Sequence, residues 1–195
     1  WSTFDVSTVH ADAKGFIGAA FDGRYLYLVP YGNNSAPHGI VARYDTQGGF
    51  GASPSWSTFD VSAVNPRARG FAGAAFDGRY VYLVPYGSDS ASHGIVARFD
   101  TQGTFGTSQS WSTFDVSTID AEAKGFEGAA FDGRHLYLVP QYNGSEYLGI
   151  VVRHDTQGGF GASQSWSTFD VSTVRPGARG FLGAVFDGRY GYLVP

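Results

Sequence analysis

Cysteine is absent from the 195 residues, which excludes disulfides, thiolate metal sites and a cysteine nucleophile. Its absence leaves the compartment open. Methionine is absent too, even at position 1. The natural open reading frame is therefore expected to begin upstream, and the chain reads as a mature product or a piece of a longer repeat array. Charge is scarce, at 15 % of residues, and a net charge of −4 gives no basic field to draw in nucleic acid. Aromatics reach 16 %, the reverse of the charge-rich, aromatic-poor make-up of a disordered chain. No apolar run approaches about 18 residues, so no membrane insertion is expected. No signal peptide is visible, and no long amphipathic helix.

Recognisable catalytic motifs are missing as well. There is no G-x-S-x-G elbow, no G-x-x-x-x-G-K-[ST] loop and no G-x-G-x-x-G after a strand. The five histidines, His10, His38, His93, His135 and His154, show no H-x-x-x-H spacing. No cofactor and no metal are expected.

What is present is a repeat. Trp1, Trp56, Trp111 and Trp166 open four copies of W-S-T-F-D-V-S, at a period of 55 residues. Each copy continues with G-F-x-G-A-x-F-D-G-R, an aromatic run ending L-V-P, a variable loop and, in three of the four, R-x-D-T-Q-G. Self-similarity at a fixed period marks a repeat architecture. The chain is long enough for one well-buried domain. It is expected to form one over 1–195, with repeats 1–55, 56–110, 111–165 and a partial 166–195.

The first copy holds four strand-like runs, 1–6, 16–21, 25–29 and 40–44, rich in Val, Ile, Tyr, Phe and Trp. The stretch 8–14 suits a short helical turn. Asp22-Gly23 lies between the second and third runs and recurs at Asp77-Gly78, Asp132-Gly133 and Asp187-Gly188. It predicts a hairpin with a type I′ turn, which needs positive φ at both central residues. The run Tyr25-Leu26-Tyr27-Leu28-Val29 does not alternate in polarity, so the sheet is expected to be covered on both faces. The Gly18-Ala19-Ala20 run suits a crowded central strand.

Small antiparallel four-stranded sheets, stacked face to face with one small-residue strand at the centre, describe an all-β β-propeller. The chain resembles bacterial repeat proteins of the β-propeller type built on F-D-G-R-Y-x-Y-x-V-P-Y … R-Y-D-T … S-W-S-T-F-D. The resemblance covers the whole chain. That group has no assigned activity, so the resemblance implies the fold and lends no function.

In this phase the chain begins with an orphan outer strand, runs through three full blades and stops after two strands of a split fourth. One outcome is that the 1–6 strand closes the ring by pairing onto that last blade, giving a four-bladed ring with one thin blade. The other outcome is an open arc completed by a second chain, and the unpaired edge favours such self-association.

The copies differ mainly in two segments, 10–14 and 31–38 in the first copy, with their equivalents. In an antiparallel meander both connections lie at one end of each blade, and the Asp-Gly turns and D-T-Q-G loops at the other. Loops on a rigid scaffold carry binding groups; simple drift of exposed loops is the alternative. The candidate ligand-binding residues are Tyr31, Asn33, Asn34 and His38, then Tyr86, Ser88, Asp89 and His93, then Tyr142, Asn143, Glu146 and Tyr147. Aromatic faces beside amide, carboxylate and imidazole groups suit a glycan or a peptide. Asn33-Asn34-Ser35 and Asn143-Gly144-Ser145 also fit the glycosylation acceptor pattern. Lys14, Arg69, Lys124 and Arg179 each precede the glycine that opens an inner strand, a candidate anion ring at a channel mouth; pairing with nearby aspartates is the alternative. Arg43 and Asp45, with their copies, read as staples between blades.

A ring of near-identical blades offers several similar sites rather than the one asymmetric site of an enzyme. The sequence therefore predicts a non-enzymatic, multivalent, lectin-like or peptide-binding module. A self-assembling scaffold is the alternative, and a hydrolase or lyase at the channel mouth a minor one. The tyrosine-, glycine- and serine-rich make-up suggests an extracellular or cell-surface setting.

Overall fold

The computed structural model describes residues 1–34, 36–88 and 91–195, with Ser88 by its backbone alone. It contains sixteen strands: β1 (Phe16–Phe21), β2 (Tyr25–Pro30), β3 (Ile40–Asp45), β4 (Trp56–Asp60), β5 (Phe71–Phe76), β6 (Tyr80–Pro85), the two-residue β7 (Gly87–Ser88) and β8 (Ala91–Ser92), β9 (Ile95–Asp100), β10 (Trp111–Asp115), β11 (Phe126–Phe131), β12 (His135–Pro140), β13 (Ile150–Asp155), β14 (Trp166–Asp170), β15 (Gly183–Phe186) and β16 (Gly191–Val194). All sixteen pair antiparallel, and the helical pieces are single 3₁₀ turns. No helix among the described residues is long and apolar enough to cross a membrane.

Fourteen of the strands form three blades, β1-β2-β3-β4, β5-β6-β9-β10 and β11-β12-β13-β14, and a two-stranded part-blade, β15-β16; β7 and β8 pair with each other in the loop between β6 and β9. The glycine-alanine strands are innermost: β1 contacts β5, β5 contacts β11 and β11 contacts β15. The strands approach closely there. A Cβ at Gly73 would lie 3.2 Å from the Gly128 Cα of the next blade. This is the fold of a β-propeller, with three complete blades and a two-stranded part-blade.

The core lies between blades, not within them. Tyr27, Val29 and Val41 of the first blade pack on Phe71, Leu83 and Phe99 of the second. Tyr82, Val84 and Val96 of the second pack on Phe126, Leu138 and Val152 of the third. Both faces of the second blade are covered, which is why polarity does not alternate along β6; β2 carries the same pattern with one face packed on the second blade. At about 25 cal/mol per Å² of buried apolar surface, these two layers supply most of the driving force for folding.

Two local expectations need correction. Residues 1–5 form no strand, and no last-blade pairing of this segment occurs. Its copies Trp56–Asp60, Trp111–Asp115 and Trp166–Asp170 each pair with a third strand, β3, β9 or β13. No such partner lies beside residues 1–5, and a lone strand cannot satisfy its backbone groups. The 3₁₀ turn starts earlier than expected, at Val6–Thr8, where Asp5 accepts a bond from the Ser7 N–H.

The second correction concerns the hairpin. Positive φ falls on Gly23 alone, at 101°, so the turn is not of the I′ type, which needs positive φ at both central residues. Asp22 precedes the turn. Its Oδ1 accepts from the N–H of Arg24 and of Tyr25, and its Oδ2 from the Tyr27 hydroxyl at 2.7 Å.

Candidate ligand-binding face

The two variable segments of each copy meet through their backbones. Tyr31 and Gly32 both donate to the Gly15 carbonyl. Gly15 has φ of +62°, and a Cβ there would come within 1.7 Å of the Gly32 oxygen; no side chain fits. Equivalent bonds run from Tyr86 and Gly87 to Gly70, and from Gln141 and Tyr142 to Gly125. Neighbouring blades are tied here too, by Gly70 N–H to His38 O, Gly125 N–H to His93 O and Ser92 Oγ to Tyr142 O. The opposite end carries the ion pairs Arg24–Asp45, Arg79–Asp100 and Arg134–Asp155, at 2.6–2.8 Å.

His38 and His93 leave the set of exposed ligand groups. Both are buried. The His38 Nδ1 accepts from the Ile40 N–H, so its Nε2 carries the proton and donates to the Lys14 carbonyl at 2.7 Å. His93 does the same with Ile95 and the Arg69 carbonyl at 2.6 Å. Burial pushes both imidazole pKa values below the ordinary value, keeping the rings neutral. These rings lock the two variable segments together; Leu148, also buried, fills the place in the third copy.

The amides are also partly committed. Asn143 Oδ1 accepts from the Ser145 N–H and hydroxyl and from the Glu146 N–H, while its Nδ2 donates to Glu122 Oε2. Asn33 Oδ1 accepts from Ala36 N–H. Both act as loop formers. Asn34 is exposed, with φ of 70°. Asp89 and the serine of the Asn33-Asn34-Ser35 acceptor pattern lie outside the described residues, as does the Ser88 side chain.

The tyrosines cluster. Tyr31 and Tyr86, from adjacent blades, have ring centroids 5.9 Å apart; Tyr142 and Tyr147 are at 5.5 Å. Burial raises the pKa of Tyr86, and Tyr31, Glu127, Tyr147 and Tyr142 add to the effect through their fields. The rings thus form two pairs, with Glu127 among the groups whose field reaches Tyr86. Tyr31 and Tyr147 are exposed, Tyr86 and Tyr142 half-buried.

Glu127 escaped the sequence reading. It sits in the β11 bulge, where the register shifts between Phe126 and Ala129. The other copies have Ile17, Ala72 and Leu182 there; a carboxylate at an otherwise apolar position was the available signal. Half-buried, it has its pKa raised by desolvation, and it makes no hydrogen bond or ion pair among the described residues.

The four cations differ. Arg179 pairs with Glu146 Oε2 at 2.9 Å and also donates to the Tyr147 carbonyl. Lys14, Arg69 and Lys124 form no ion pair among the described residues. Arg67, which the sequence reading passed over, reaches Asp115 of the next blade at 3.6 Å. The staple expected of Arg43 and Asp45 is divided. Asp45 binds Arg24 of its own blade, and the Arg43 guanidinium lies 4.3 Å from the Phe105 ring centroid of the next. No cluster of three or more His, Cys, Asp or Glu residues placed to hold a metal occurs among the described residues.

No family model matches the chain, and no curated protein does. Among solved structures, the chain is similar to the β-propeller domain of Cps50 (Swd1) from Myceliophteria thermophila, with a TM-score of 0.50 and 10 % sequence identity. The likeness covers 89 % of this chain and 45 % of that one, so the chain spans under half the length of the propeller it overlies. At that identity the kinship is one of fold.

Proposed function

We propose that the chain is a non-enzymatic binding module that grips a glycan or a peptide on its variable face. The propeller fold supports an interaction module in general; the tyrosine cluster supplies the more specific argument. Rings at 5.5–5.9 Å spacing, two of them exposed, offer flat apolar surface for sugar C–H groups or peptide side chains. Asn34 and the unpartnered Glu127 carboxylate add polar groups at the same end. Each contact is weak, and repetition across blades raises the effective concentration for the next. The lysines and arginines before the inner-strand glycines extend the same face toward anionic or carboxylate-bearing ligands.

A glycan array and a peptide library screened with the intact chain test the reading. A Tyr31→Ala, Tyr86→Ala double variant is expected to weaken any ligand found by about tenfold or more, at about 1.4 kcal/mol per factor of ten. Silence of the intact chain on both collections, or a ligand indifferent to the double variant, overturns it.

A further inference from the structure

The repeat allows each blade-to-blade contact to be compared with its own copies. Phe59 stacks on Trp111 of the next blade, centroids 5.1 Å apart and planes 10° apart. Phe114 stacks on Trp166 in the same way, at 4.9 Å and 6°. Phe4 stacks on Trp56 at 5.0 Å and 9°. Residues 1–5 therefore occupy the outer-strand place of a blade preceding the first, held by this stack without any strand pairing. Two rings in the series are left over. Phe169 is 58 % exposed with no tryptophan on it, and Trp1 is wholly exposed with no phenylalanine under it.

Other rings at the two ends of the blade series fall into the same two sets. On the leading side of the first blade, Tyr44 and Phe50 are only half-buried, whereas their copies Phe99 and Phe105, then His154 and Phe160, are buried under the tyrosine of the preceding blade. Phe21 is exposed there as well. On the trailing side, Tyr192 is half exposed while Tyr27 and Tyr82 are sealed. On the other face of the part-blade, between it and the third blade, runs a cleft of about 330 Å³ lined by Tyr137, Val151, Phe169, Ala184, Phe186 and Leu193.

We propose that copies of this chain dock head to tail, the leading side of one on the trailing side of another. Trp1 of the second copy stacks on Phe169 at the mouth of the cleft. Tyr44 and Phe50 of the second copy cover Tyr192, as Phe99 and Phe105 cover Tyr27. The two surfaces are complementary because Trp1, Tyr44 and Phe50 on one side, and Phe169 and Tyr192 on the other, repeat rings that meet at least twice inside the chain, the part-blade supplying the inner two strands of its surface. The contact is heterologous, so assembly stops only where the curvature closes a ring.

Sedimentation of the 195-residue chain over a range of concentrations tests this. A discrete assembly of two or more copies is expected, and a monomer at all concentrations overturns the proposal. Phe169→Ala and Trp1→Ala alter exposed rings that the isolated fold does not use, and each is expected to weaken association by about tenfold or more. Mixing the two variants provides the sharper test. The Trp1→Ala copy keeps an intact cleft and the Phe169→Ala copy an intact Trp1, so the mixture should associate more tightly than either alone. Association unaffected by both substitutions, or a mixture no tighter than its components, overturns it. Tyr147→Ala, on the variable face, is expected to leave the assembly unchanged.

Discussion

Tyr82 and Tyr192 hold the same place in the repeat. Tyr82 is sealed between blades, against Phe160 and His154, and donates its hydroxyl to Asp77 at 2.7 Å. Tyr192 keeps the equivalent bond to Asp187, at 2.8 Å, yet is half exposed. The turn and its aspartate are therefore a property of one hairpin, and burial is a property of two blades. A hairpin alone is marginal in water. What stabilises each blade here is the sheet stacked on it.

The largest break in this comparison comes from truncating the two rings. Tyr82→Ala is expected to cost about 3–5 kcal/mol, as large core aromatics do on truncation to alanine. Tyr192→Ala should cost about 0.5 kcal/mol or less in the dissociated chain. Urea unfolding of both variants at low protein concentration checks the ratio. Equal losses would mean that the open side is covered by something else.

A second, smaller effect separates the histidine-locked copies from the leucine-filled one. Burial lowers the folded-state pKa of His38, His93 and His154 from 6.5. The unfolded chain then binds protons more readily than the folded one, so stability is full above about pH 6.5 and declines as the pH falls through that value toward the folded pKa. The midpoint of thermal unfolding should be lower at pH 5 than at pH 7.5. His93→Leu, which imitates Leu148, should flatten part of that dependence; an unchanged slope would count against the buried neutral ring.

The smallest effect concerns the invariant end. Asp155 is held down to about 2, first by its hydrogen bonds to Arg134. A depressed carboxyl contributes stability that is present above about pH 3.8 and lost as the pH falls through about 2. Asp155→Asn should shallow the acid limb of the unfolding curve between pH 4 and 2, read by circular dichroism. Arg189 of the part-blade has no carboxylate partner among the described residues, so Arg189→Ala should leave that limb as it is.

Several features were legible before any coordinates. The period, the strand-rich runs, the inner glycine-alanine strand and the two strands of the last part-blade follow from local signals, namely apolar runs bounded by turn residues and small side chains where strands converge. The site was less legible. Tyr31, Tyr86, Tyr142 and Tyr147 were in the candidate set, and the structure pairs Tyr31 with Tyr86 and Tyr142 with Tyr147. His38 and His93 were there too, but their ring nitrogens meet carbonyl and amide groups brought in from another segment. No spacing along the chain encodes that. Glu127 was hidden in a strand that otherwise read as packing.

Residues 1–5 show the division most simply. They are identical in sequence to Trp56–Asp60, Trp111–Asp115 and Trp166–Asp170, and local propensity is the same in all four. Sequence alone determined that each segment is able to be a strand, because propensity and pattern are carried by the residues themselves. Only the tertiary structure decided that three of them are strands and the first is not. A backbone ladder needs a neighbour to receive its hydrogen bonds, and a blade face needs another blade to exclude water.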